Sequence, residues 1–195
     1  MRSGLRPKCP EIRETEYWRS LFRTGTFVDS PCMATWDDLR ASEPELAAAG
    51  ERLLRPTGDG FAFLATVSAA GGPRVHPVVP ILAGTRLYVF VVSMSPKHED
   101  LRRDGRFALH AMLTPEGGEE FYLTGRASIA GEPGRRVEVR EASGGRLGAH
   151  SFETLFELDI RRVLYTRWSS WGTKETWPEY RRWRAPGVRA DRAAP

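Results

Sequence analysis

Cysteine is nearly missing from this chain: Cys9 and Cys32 are the only two in 195 residues. That excludes a disulfide framework and a cysteine-based zinc site. The two could pair, but a pair of free thiols in a reducing cytoplasm is the simpler reading. Histidine is scarce too. His76, His98, His110 and His150 occur without HxxxH or CxxC spacing, which gives no case for a metal. No apolar run approaches the roughly 20 residues that a membrane helix needs. The opening MRSGLRPKCPEIRE has a basic flank but no apolar stretch of the kind a secretory signal carries. Charge of one sign is also lacking. The net charge is +4 although the sequence pI is about 9.4, and arginines are interspersed with acids. No basic block with interleaved aromatics suggests a nucleic-acid groove. No Ser-His-Asp set, carboxylate pair or nucleophilic cysteine stands out, which does not argue against an enzyme, since a cofactor can carry the chemistry itself. Lysine is the rarest cation: of 29 Lys and Arg, only Lys8, Lys97 and Lys174 are lysine. A lysine at a polar site is therefore informative.

What is present is globular: 41% hydrophobic and 28% charged residues, enough for one domain with a substantial core. Residues 1–32 mix charge, glycine and proline with little periodicity and are expected to form a poorly ordered extension, with Met33 an alternative start. The domain proper is expected over 33–185, with a tail at 186–195. MATWDDLRASEPELAAAGERLL reads as two helices, one capped by Thr35 over 36–41 and one opened by Ser42-Glu43-Pro44 and running to Leu54. PTGDG breaks the second helix and opens a β region.

Strand patterns follow: FAFLATV (61–67), RVHPVVPIL (74–82), RLYVFVVS (86–93), RFALHAML (106–113) and EEFYLTGRASIAG (119–131). EPGRRVEVREAS holds a short helix, and SFETLFELDI and RRVLYTRWSSW read as two further strands. Pro77 and Pro80 remove ladder donors, so the return strand needs an edge, a bulge or a ligand beside it. The fold class is mainly β within α+β. We expect an antiparallel barrel of about six or seven strands, closed or nearly so, with a few peripheral helices.

One connector is unusual. SMSPKHEDLRRDGRFALH (93–110) joins two apolar strands through a short helix whose only large apolar residue is Leu101. Ser95 suits the N-cap, Pro96 the first helical position, Glu99 and Asp100 the first turn, and Gly105 the stop. A helix start leaves free N–H groups and a partial positive charge, a natural anion site. Lys97 adds a full charge there. The alternative is a well-capped turn with solvated charges.

Taken in order, LATVSAAGGPRVHPV, LYVFVVSMSPKHEDLRRDGRFAL and EEFYLTGRA resemble the FMN-binding split-barrel family typified by pyridoxamine 5′-phosphate oxidase. The family pattern has a strand like LATV, a return strand of the form PxxxPV, and S-x-K-x-x-x-L before R-V/F-A-L. The resemblance implies a split β-barrel, an FMN-dependent oxidoreductase on a small molecule, and a homodimer with the flavin at the subunit interface. A deazaflavin-dependent reductase and a non-catalytic flavin-binding protein are the alternatives. It also implies that Ser95 and Lys97 hold the FMN phosphate and that His76, Pro77, Val78 and Val79 line the ring. Phe90 and Val91 contribute from the preceding strand, and Glu120 reaches the flavin of the partner subunit. The chain departs from the family at four points. Pro96 replaces a second cation, His76 stands where the oxidase has arginine, Glu120 replaces a glutamine, and TKETWPEYRRWRAP lacks the oxidase's R-x-H. For the tryptophans late in the chain two readings stand: Trp168 or Trp171 near the flavin, or a seal of the barrel against the first helices together with Trp36. His110 is expected in the core or at an interface.

Overall fold

The computed structural model describes residues 34–55, 60–111 and 118–188; the extension 1–32 and the tail from residue 189 lie outside the described residues. Two helices come first, α1 (Trp36–Ser42) and α2 (Pro44–Leu54). The start of α1 is fixed by a reciprocal cap. Asp38 N–H donates to Thr35 Oγ1 (3.2 Å) and Thr35 N–H donates to Asp38 Oδ2 (2.7 Å). Pro44 opens α2, where a missing N–H costs nothing. Both helices bury one stripe, including Trp36, Leu39, Leu46, Ala47 and Leu53, against one side of the sheet.

The strands are β1 (Ala62–Val67), β2 (Pro73–Val78), β3 (Ile81–Ala83), β4 (Arg86–Val92), β5 (Arg106–Ala111), β6 (Glu119–Ile129), β7 (Glu153–Ser169) and β8 (Trp177–Arg184). Two more helices lie between them, α3 (Pro96–Arg103) and α4 (Arg135–Ala142). All eight strands form one sheet in the order β2-β1-β5-β6-β7-β4-β3, with β8 paired to β7. Every pairing is antiparallel. The two ends of that order, β2 and β3, are separated in the chain only by Val79 and Pro80. A link that short forces the sheet to curl back on itself, which gives the split-barrel form. β2 is an edge strand, and so tolerates the prolines at 73 and 77.

Three expectations are corrected. The return strand at 74–82 is broken at Val79-Pro80 into β2 and β3. The stretch read as two strands is one continuous 17-residue strand, β7. Its charged centre resembles a turn in sequence. In the fold Asp159 accepts from Ala34 N–H (2.8 Å) and lies 3.5 Å from Arg161 Nε, so the polar pair is buried inside the strand. The third correction is β8, which raises the strand number to eight; its charged, tryptophan-rich segment hides the alternation that identifies a strand. The short helix in EPGRRVEVREAS is present as α4.

Candidate functional site: a cation cluster at the start of α3

β4 ends at Val92, and the turn that follows brings Ser95 to the N-cap of α3 with extended backbone and Pro96 at the first helical position. The Ser95 side chain does not cap the helix as expected. Its hydroxyl donates back to Val92 O (2.6 Å), so the first turn of α3 receives no side-chain acceptor from its own cap. Lys97 follows, half-buried, with no hydrogen bond or ion pair among the described residues. Burial alone pushes its pKa down, the behaviour of an ammonium with no countercharge beside it.

β2 lies alongside. Its register places Arg74 opposite Thr66, His76 opposite Leu64 and Val78 opposite Ala62, so these three share the inner side with the buried face of β1. His76 Nε2 is buried and has no hydrogen-bond partner. The pKa of His76 is lowered by burial first and by the charge of Lys97 second; Asp100 opposes this and Arg74 adds to it. Asp100, 3% exposed, is already engaged: Thr66 Oγ1 donates to it at 2.9 Å, and Arg74 Nε and Arg103 each lie 3.6 Å away. Its carboxylate is shared among two guanidinium groups and a hydroxyl, which leaves Lys97 and His76 unmatched. A half-buried cation and an orphaned imidazole nitrogen that feels its charge fit an anion with several acceptor oxygens. Among the described residues no group of acids, histidines or cysteines could hold a metal.

The residues singled out from the sequence divide accordingly. Ser95 and Lys97 lie together at the start of α3, and His76 on β2, its pKa lowered first by burial, also feels the charge of Lys97. Pro77 lies on the opposite face of β2, beside Phe63. Val79 is half-buried in the link to β3. The side chains of Val78 and Val91 are buried in the main core. Phe90 points to the other side of β4, where the Arg136 guanidinium covers its ring at 5.2 Å. Glu120 sits on β6 opposite Thr166; the pKa of Tyr180 is raised first by burial, with Arg182 opposing and the Glu120 charge adding to the rise. Arg74 and Asp100 were not singled out. The signal for them was spacing: Arg74 is two residues from His76 on a strand, and Asp100 is three from Lys97 on a helix.

The tryptophans also divide. Trp183 Nε1 donates to Ser42 Oγ (2.8 Å) and packs on the first helix, so this late tryptophan does seal the barrel. Trp36 meets Phe121, with centroids 6.1 Å apart, rather than a late tryptophan. Trp168 and Trp171 pack edge-on at 5.6 Å near the β7–β8 turn. His110 is half-buried on β5 near Tyr122. A cleft of about 550 Å³ between α2 and the β7–β8 hairpin is a weaker candidate. Its Arg52 is held by Glu119 (2.7 and 2.8 Å) and its Arg181 by Glu45 (2.6 Å), so those charges are already matched.

The state of His76 has a measurable consequence. Its folded-state pKa lies below the ordinary 6.5, so the unfolded chain binds the proton more tightly. The ligand-free protein is therefore expected to lose stability as pH falls below about 6.5, the loss levelling off once His76 is protonated in the fold. Urea midpoints across pH 5 to 8 check this, and His76→Gln should flatten that part of the profile.

A sequence profile of the family described as pyridoxamine 5′-phosphate oxidase matches residues 51–171, from α2 to just past β7 and across the whole Lys97 cluster. No curated protein matches the chain in sequence. Among solved structures, a heme binding protein from Mycobacterium smegmatis superposes with a TM-score of 0.52 at 19% identity, over 69% of this chain and 57% of that one. PhzG from Burkholderia lata, solved with tetrahydrophenazine-1-carboxylic acid, gives 0.53 at 14% identity over 78% and 91%. A nimc/nima family protein from Clostridium acetobutylicum gives 0.50 at 18% identity over 69% and 92%. At these identities the structural likeness speaks to the fold alone. The profile match covers more than half of the chain, and with the curled antiparallel sheet it shows that this protein belongs to the pyridoxamine 5′-phosphate oxidase family of split barrels.

Proposed function

We propose that the chain binds FMN through its phosphate at the start of α3 and acts as an FMN-dependent oxidoreductase on a small molecule. The observation that carries this reading is the unmatched pair, Lys97 without a countercharge beside His76 Nε2 without a partner. Lys97 supplies the charge, His76 a hydrogen bond, Ser95 Oγ its remaining polar capacity, and the start of α3 the positive end of its dipole. A bound flavin brings hydride and electron chemistry with it, so the protein's task is to bind, orient and exclude water. Pyridoxamine 5′-phosphate itself is not the proposed substrate, because the C-terminal R-x-H is missing.

The working unit in this reading is a cytoplasmic homodimer. The barrel interior is filled by side chains and leaves no room for three fused rings. The outer face of β1 and β2, in contrast, exposes Phe63 (41%) and Val75 (63%), with Phe61 (49%) just before it. Such a row suits burial against a second copy that completes the ring-binding groove. Sedimentation is expected to give a dimer, and a flavin-loaded monomer would remove this part of the reading.

The cofactor is tested by denaturing the purified protein and weighing what it releases. FMN, with the blue-region flavin band in the native spectrum, supports the proposal. A deazaflavin, or apoprotein that cannot be reconstituted with FMN, would replace it with one of the alternatives above.

A further inference from the structure

We propose that His76 is a proton-linked ligand of the phosphate: its imidazole takes up a proton from solvent as the phosphomonoester binds, giving the site the second positive charge that Pro96 cannot supply. This rests on the FMN reading above and adds a residue-specific property to it. The geometry has three parts. The Nε2 atom is buried and without a hydrogen-bond partner, so an acceptor brought to it breaks no existing hydrogen bond. Position 96 at the start of α3 is proline, so Lys97 is the one side-chain cation of the helix's first turn. Arg74, on the same side of β2, is drawn toward Asp100 at 3.6 Å, and Asp100 is also held by Thr66 and Arg103.

The groups facing the imidazole are thus Arg74 on its own strand, Lys97 and Asp100 on α3, and the uncharged Leu64 and Thr66 on β1. Without a bound phosphate, burial first, and then Lys97 and Arg74 against one shared carboxylate, favour neutral His76. A dianionic phosphate reverses that balance. An opposite charge at hydrogen-bond distance favours the charged imidazole, which then donates to a phosphate oxygen. The proton balance is simple: one proton leaves the buffer and stays on the imidazole, and no bond of the ligand is broken.

Titration calorimetry of FMN into the apoprotein, in two buffers of different ionisation enthalpy, reads the linked protons directly. At about pH 7 the phosphate is already largely dianionic, its second pKa being near 6, so its own titration contributes little. The expected result is an uptake approaching one proton for wild type and none for His76→Gln. That variant should also bind FMN roughly tenfold more weakly, the loss of one hydrogen bond to a charged group. Riboflavin, which lacks phosphate, should show no uptake and equal affinity for both proteins, which also proves the variant folded; His76→Asn takes its place if it does not. Tight FMN binding with no proton uptake, or the same uptake in wild type and variant, overturns the role of His76 and leaves the FMN reading standing. A wild-type protein that binds riboflavin and FMN equally, or neither, overturns both.

Discussion

Lys97→Ala is expected to weaken FMN at least roughly tenfold while leaving riboflavin binding almost unchanged. A phosphate enclosed by protein needs fixed donors and a cation, and Lys97 is the half-buried side chain at this site with no competing partner among the described residues. Removing one member of a buried, hydrogen-bonded charge pair costs about 2–5 kcal/mol, and each 1.4 kcal/mol is a factor of ten in affinity. Proline at position 96 concentrates that burden on Lys97, while Arg74 is shared with Asp100. Lys97→Arg should keep part of the affinity, because the charge survives and the geometry changes. Lys174→Ala is the control: that lysine is exposed in the β7–β8 turn and should be silent. Fluorescence quenching of FMN and riboflavin by the apoproteins measures all four values. Equal FMN affinity in wild type and Lys97→Ala would reduce the start of α3 to a connector.

A large stability effect is expected at Gly125. β6 and β7 change register between Thr124 and Gly125, and there the two backbones come very close. A Cβ at this position would lie 1.6 Å from the carbonyl oxygen of Asp159 and 3.1 Å from the Phe107 ring. The first contact is main chain, which no rotamer change relieves. It also belongs to the stretch where Asp159 is tied to Ala34 and Arg161. Gly125→Ala should therefore cost about 3 kcal/mol or more, the upper end for overpacking a core. Gly131→Ala is the comparison. Nothing lies within 4 Å of its added Cβ, and it should stay within about 0.5 kcal/mol of wild type. Urea unfolding of the three proteins decides it, and a Gly125→Ala midpoint equal to wild type would mean the two strands separate at little cost.

How much was legible depends on where the information sits. α1, α2, α3 and the strands β1, β4, β5 and β6 carry local signals, namely caps, prolines, glycine turns and alternation, and these appear in the fold close to where the sequence places them, whereas β2 and β3 read as one strand. β7 did not read as one strand, because the residues that look like a break, Asp159 and Arg161, are matched by groups distant in the chain. β8 did not read as a strand at all, since its only pairing is with β7 and most of its side chains are polar. At the site, the lysine and the helix start were visible because they lie within three residues of each other. The participation of Arg74 and Asp100 depends on β2 lying next to α3, a contact that no local pattern encodes. The lining role of Val78 and Val91 came from the family resemblance, and their side chains lie in the core.

The central claim is that a phosphate docks at the start of α3, and a crystal structure of the FMN complex tests it most directly. The account predicts phosphate density within hydrogen-bond distance of Lys97 Nζ and His76 Nε2, with the ring beside the outer face of β1 and β2. Phosphate density elsewhere, with Lys97 and His76 still unpartnered, would contradict it.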